Sequence, residues 1–175
     1  MWDVLDSSKW PVGGAGLEQF MTGALGLTTP KHLLEKLRSD FAALSASPDD
    51  PYLSFNFFVT AEHLPDWLHP GAVGKASRKA LRASDPLLQV TSHIANGLKH
   101  FDHLSKHHTS VLGSGRKGSY FSALGPMFQS GYFGRRALVV ELDATLTAGI
   151  GKSTIEVVEL AEKVLDYWEA PGRVV

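Results

Sequence analysis

The sequence predicts a single α+β domain that is mainly helical: a bundle of about four helices with a Gly-rich antiparallel β-hairpin element before the C-terminal helix. Three observations predict this class. Three segments open with a capping residue followed by proline and continue with helical apolar periodicity. A later stretch, 109–136, interleaves six glycines with aromatic residues, which favours short strands and turns. The length of 175 residues is typical of one domain.

The N-terminal part divides into an irregular segment, 1–28, and a helical core, 29–108. Glycines alternate with aromatic residues in 1–28, which disfavours a long helix there. The first helix is predicted over about 30–45, after the N-cap Thr29. Leucine and phenylalanine recur on one side of it, which indicates an amphipathic helix.

The second helix is predicted over about 51–68, after the N-cap Asp50. It is apolar nearly all round, so it is expected to be central and the most buried element, with Trp67 in the core. Pro65 is expected to kink this helix or to end its first part. A basic connector follows over 71–84 and is compatible with a short helix.

The third helix is predicted over 85–108, and it combines two faces. Apolar residues at helical spacing form one stripe, and polar residues at the same spacing form a second stripe about half a turn away. The second stripe indicates metal ligands, a proton-handling site or a polar groove, or simply a solvated face. The first stripe is Leu87, Val90, Ile94, Leu98 and Phe101, and the second is His93, Asn96, His100, His103 and His107.

The C-terminal part is predicted as a Gly-rich β element over 109–147 and a helix over 153–170. The segment 137–142, ALVVEL, is the strongest strand pattern in the chain. Ser153 followed three residues later by Glu156 has the pattern of a capping box, which predicts the start of the last helix at Ser153.

Composition limits the function classes. The net charge of −1 gives no global field for nucleic acid, although folding could bring together a local basic patch. Its members would be Lys75, Arg78, Lys79, Arg82, Arg135 and Arg136. The absence of cysteine excludes disulfides and thiolate sites, so a metal would need nitrogen or oxygen ligands. The start lacks a signal-peptide pattern and no apolar run matches a membrane helix, so the expectation is a cytoplasmic protein without membrane contact.

Three groups of candidate site residues follow from these patterns. His63 and Asp66 share a face of the second helix if it continues through Pro65, and with Asn96 and His100 they form the candidate catalytic set. Lys99, Arg116 and Lys117 are candidates for anion binding, the last two in a Gly-rich loop. His100, His103 and His107 are spaced to share a divalent transition metal, although no cofactor is expected.

The segment 149–154, GIGKST, resembles the end of a phosphate-binding P-loop. The full pattern needs a glycine five residues before Gly151, and that position is Leu146. The sequence therefore favours a hairpin or a strand-to-helix turn here, and it predicts no nucleotide hydrolysis.

Asn96-Gly-Leu-Lys-His100 resembles the signature of HEPN domains, a helical family found in many ribonuclease toxins and phage-defence proteins. The family pattern is an arginine, a polar residue, three free positions and a histidine. Asn96 and His100 match the polar residue and the histidine, whereas Ala95 stands in the arginine position. The resemblance implies a helical domain in which the arginine would steady the scissile phosphate of RNA. Its absence at Ala95 argues against RNA cleavage. The segments FNFFVTAEHLPDWL and SHIANGLKHF are also similar to segments of small uncharacterised bacterial proteins.

Three functions remain open at this point. The first is a HEPN-like, non-catalytic helical module that binds a protein or RNA partner, with a homodimer as a further option. The second is a hydrolase acting on a phosphodiester, metal-assisted or His-dependent, with its site between the second and third helices. The third is an accessory or structural phage protein without a site.

Overall fold

A computed structural model describes residues 26–99, 111–117 and 137–174. Six helices and three strands lie in this part of the chain, so the mainly helical α+β class is confirmed. The elements in chain order are α1 Pro30–Ala46, α2 Pro51–Leu68, α3 Lys75–Ala83, α4 Pro86–Lys99, β1 Val111–Lys117, β2 Ala137–Leu142, α5 Ala144–Ile150, β3 Thr154–Glu156 and α6 Val157–Glu169.

Side-chain caps before proline start three of the helices, as the sequence predicts. Thr29 Oγ1 accepts the backbone N–H of His32 at the start of α1. Asp50 Oδ1 accepts the N–H groups of Tyr52 and Leu53 at the start of α2, at 2.8 and 3.2 Å. Asp85 Oδ1 accepts the N–H of Leu87 at 2.8 Å where α4 begins. Each cap satisfies an N–H group that has no partner within its own helix.

The core lies among α1, α2, α4 and α6. Helix α2 packs against α1 and α4, and α6 contacts all three of these helices as well as β2. Fully buried side chains from three of the helices meet here: Leu37 and Leu44 of α1, Phe57 and Leu64 of α2, and Val164 and Trp168 of α6. Phe57 and Phe58 also stack edge to face, with ring centroids 5.3 Å apart.

The sheet is antiparallel, in the order β1-β2-β3. Val140 in the central strand β2 lies opposite Ser114 on one side and Ile155 on the other. Val140 and Ile155 are buried, and α6 covers this part of the sheet. The predicted strand at 137–142 is confirmed, whereas residues 118–136 of the predicted Gly-rich element lie outside the described residues.

Helix α2 has the predicted bounds and continues through Pro65 to Leu68, with Pro65 itself buried. It differs from the prediction in its burial, because it has an exposed side near its start: Tyr52 is 79% exposed, and Phe55 is exposed as well. Trp67, expected in the core, is only partly buried. The expectation that α2 is the most buried element is also wrong, because eight of its 18 residues are buried against seven of 13 in α6. The sequence could not predict which side of α2 is exposed, because apolar periodicity identifies the buried side of a helix only when the helix also has a polar face.

The predicted helix start at Ser153 is wrong. Residues Thr154–Glu156 form β3 and pair with β2, and α6 begins at Val157. Glu156 is the N-cap residue, and its side chain makes no capping hydrogen bond. Pairing with β2 buries Ile155, so tertiary contact overrides the local capping pattern. The short helix α5, which begins directly after β2, was not predicted.

Candidate functional site

The polar contacts of the site begin with His63 and Asp66 on α2. Because α2 continues through Pro65, the two residues share one helix face, and His63 Nδ1 lies 3.3 Å from Asp66 Oδ2. Both side chains are partly exposed, at 45% and 39%. A carboxylate at this position orients the imidazole, which is a feature shared by catalytic and purely structural histidines.

Two arginines of α3 bind the carboxylates of α2. Arg78 Nε lies 3.0 Å from Asp66 Oδ1, and Arg82 Nη2 lies 3.2 Å from Asp66 Oδ2. Arg82 Nε also donates to Glu62 Oε1 at 2.6 Å, and Glu62 is buried. The formal charges of these two acids and two arginines cancel. Burial of the Glu62 carboxylate would cost free energy without a partner, and its ion pair with Arg82 offsets that cost.

The network continues from Glu62 into α4. Ser92 Oγ donates to Glu62 Oε1 at 3.3 Å, and Asn96 Nδ2 donates to the Ser92 carbonyl oxygen at 2.8 Å. His93, next to Ser92, is partly buried and its Nδ1 atom is buried. The face predicted as a polar stripe is therefore, at His93 and Asn96, partly covered by its neighbours.

The apolar stripe of α4 is rotated from its predicted position. Val90 is fully buried, but Leu87 and Ile94 are only partly buried. Leu88, Thr91 and Ala95 face the core instead, and Thr91 Oγ1 donates to the Leu87 carbonyl oxygen. Ala95, which precedes the Asn96–His100 pattern where an arginine would stand, has 0% exposure. An arginine there would bring a guanidinium group into the core at a large desolvation cost, so burial favours a small apolar residue at this position.

Most of the other candidate site residues are only partly described. The backbone of Lys99 ends α4. The loop predicted around Arg116 and Lys117 is wrong, because both residues belong to strand β1 and pair with Leu138 and Ala137. His100, His103 and His107 lie outside the described residues. Across the described ranges 26–99, 111–117 and 137–174, no group of three histidines and acidic residues is placed to hold a metal ion.

The GIGKST segment does not have the shape of a P-loop. Gly149 lies within α5, and Gly151 caps that helix with a φ of 85°, a conformation that favours glycine. Lys152 precedes a strand rather than a helix, and its Nζ lies 2.6 and 2.7 Å from the carboxylate oxygens of Glu159. No helix N-terminus follows the loop directly to receive a phosphate.

Helix α3 is the part of the site that the sequence indicated least clearly. It carries Lys75, Arg78, Lys79 and Arg82, contains no acidic residue, and has no buried residue. Gly74 at its start is buried, and a side chain there would collide with the His69 carbonyl oxygen. The two arginines face α2, whereas Lys75 and Lys79 are exposed. The helix therefore presents ammonium groups to solvent.

No helix in the described part of the chain has the length and apolar character needed to cross a membrane. Comparison with known proteins gives no match to a family model, a curated protein or a solved structure.

Proposed function

We propose that this chain is a non-catalytic, HEPN-like helical module that binds RNA. In this proposal α1, α2, α4 and α6 form a bundle, the Gly-rich hairpin element precedes α6, and α3 presents the binding surface. The observation that carries the proposal is the occupation of the Asp66 carboxylate by Arg78 and Arg82, at 3.0 and 3.2 Å. An aspartate shared in this way supports His63 less well as a general base, because its negative charge is already compensated.

The charge of α3 supports RNA as the partner. Four of its nine residues are cationic and none is acidic. Arg78 and Arg82 are engaged by α2, which leaves Lys75 and Lys79 exposed one helical turn apart. Exposed lysines at this spacing can contact neighbouring phosphates without reading sequence, so we expect weak sequence preference and a strong dependence on salt.

A fluorescein-labelled single-stranded RNA of twelve nucleotides tests this function. Wild-type protein should raise the fluorescence anisotropy, and gel analysis should show intact RNA after the titration. Lys75→Ala/Lys79→Ala should weaken binding by about fivefold or more at low salt, because two phosphate contacts are lost. Lys31→Ala/Lys163→Ala removes the same charge from exposed positions on α1 and α6 and is the matched control. Absence of binding by wild-type protein would refute the proposal.

A His-dependent phosphodiesterase is the second candidate function, with His63, Asp66, Asn96 and His100 as its catalytic set. The 3.3 Å contact between His63 Nδ1 and Asp66 Oδ2 favours it, because that contact fixes the ring as a catalytic base requires. The same RNA assay separates the two candidates. Shortening of the RNA by wild-type protein, lost in His63→Ala, would establish the enzyme. Intact RNA with both proteins supports the non-catalytic module.

A further inference from the structure

Asp66 lies between two guanidinium groups at the outer edge of the contact between α2 and α3. Each of its carboxylate oxygens accepts from a different arginine, Oδ1 from Arg78 Nε at 3.0 Å and Oδ2 from Arg82 Nη2 at 3.2 Å. The carboxylate is the most exposed of the three side chains, at 39% against 19% for Arg78 and 23% for Arg82. An anion arriving from solvent would therefore meet Asp66 before it met the arginines.

Both arginines are also held by groups other than Asp66. Arg78 Nη1 donates to the carbonyl oxygens of His69 and Gly71, at 2.5 and 2.8 Å. Arg82 donates to the Glu62 carboxylate at 2.6 Å and to the Glu62 carbonyl oxygen at 3.1 Å. These contacts fix the direction of each guanidinium group, so the pair stays in place when Asp66 rotates away. Such preorganisation lowers the entropy cost of binding a ligand.

We propose that Arg78 and Arg82 form a phosphate clamp for the RNA backbone, and that Asp66 is its intramolecular competitor. This inference rests on the RNA-binding function proposed above. Two guanidinium groups that converge on one carboxylate offer the donors that a phosphodiester accepts. Lys75 and Lys79 lie on the same helix and extend the contact to neighbouring phosphates. Asp66 therefore lowers the affinity of the free protein for RNA and restricts binding to polyanions strong enough to displace it.

The test compares Asp66→Asn with Glu169→Gln in the anisotropy titration with the twelve-nucleotide RNA. Each change removes one negative charge from a similarly exposed side chain that is paired with arginine: Asp66 is 39% exposed, and Glu169, which pairs with Arg38, is 38% exposed. Asparagine keeps the size of aspartate and one acceptor oxygen, so the fold should persist, and circular dichroism checks this. Asp66→Asn should bind RNA about threefold or more tightly than wild type, because Arg78 Nε and Arg82 Nη2 then face a neutral amide instead of a carboxylate and can donate to a phosphate. Glu169→Gln should change affinity by less than about twofold, since Glu169 pairs with Arg38 of α1 and not with an arginine of α3, and an exposed charge is largely screened by salt.

A double variant tests whether the higher RNA affinity of Asp66→Asn depends on the two arginines. Arg78→Gln combined with Asp66→Asn should lose the gain, because one guanidinium group is then missing. Equal affinities for Asp66→Asn and Glu169→Gln would overturn the inference while leaving RNA binding intact. Retention of the gain in the double variant would overturn it as well. RNA binding by none of these proteins would refute the proposed function and the clamp together, so the two failures can be told apart.

Discussion

Phe57 and Tyr52 show how one helix treats two aromatic side chains differently. Both lie on α2, but Phe57 has 0% exposure and Tyr52 has 79%. Phe57→Ala should lower the free energy of unfolding by about 3–5 kcal/mol, because it empties a packed site. Tyr52→Ala should change it by about 0.5 kcal/mol or less. Urea denaturation checks both values. Equal losses would mean that the inner side of α2 is assigned incorrectly.

The sequence contains part of the pattern that leads to the contacts of Arg78 and Arg82 with α2. Glu62 and Asp66 are four residues apart on α2, and Arg78 and Arg82 are four residues apart on α3. Two helices joined by a short turn run antiparallel, which pairs Arg82 with Glu62 and Arg78 with Asp66. The sequence shows the matching spacings, but it does not predict the geometry of the turn over 69–74, because Gly71 and Gly74 indicate only that the chain bends.

Helix glycines provide a test at the level of secondary-structure elements. In α5, a side chain at Gly149 would collide with the ring of Pro86, the first residue of α4. In α4, a side chain at Gly97 would meet no atom within 4 Å. Gly149→Ala should therefore destabilise the protein by about 1–3 kcal/mol through overpacking. Gly97→Ala should stabilise it by up to about 1 kcal/mol, because alanine is the better helix former. Thermal melts that shift in the same direction would contradict the contact between α4 and α5.

The segment around Lys152 leads to a second prediction at this level. Magnesium and ATP should give no heat of binding in a calorimetric titration, because Lys152 is paired with Glu159 and precedes a strand. Lys152→Ala should lower stability by less than about 1 kcal/mol, since both side chains of the pair are partly exposed to solvent. Micromolar ATP binding that disappears in Lys152→Ala would show that the loop binds phosphate after all.

The local sequence predicted which helices and strands form better than it predicted their contacts with one another. The three proline-initiated helices and β2 follow from capping and periodicity, which act within a few residues. The start of α6 and the orientation of α4 depend on contacts with other elements. Ile155 pairs with Val140 of β2. Ala95 of α4 is fully buried, although it belongs to neither of the two stripes that the sequence predicts for this helix. Patterns within one element carry no information about such contacts.

For the whole molecule, we predict that protein purified without a tag contains no stoichiometric metal. The candidate ligands His100, His103 and His107 include no carboxylate to complete a coordination shell. Elemental analysis and a thermal melt with chelator check this, and the melting temperature should not change. Stoichiometric zinc, nickel or copper that is lost in His100→Ala but kept in His93→Ala would instead support the metal-assisted enzyme.

The salt dependence of RNA binding tests the assignment of the binding surface most directly. For single-stranded nucleic acid, the logarithm of the affinity falls with the logarithm of salt concentration with a slope of about 0.7 per phosphate contact. Replacing Lys75 and Lys79 by alanine should therefore reduce the magnitude of this slope by about 1.4. The control Lys31→Ala/Lys163→Ala should keep the wild-type slope. A slope that is unchanged in the α3 variant, or reduced equally in the control, would show that RNA does not bind through α3.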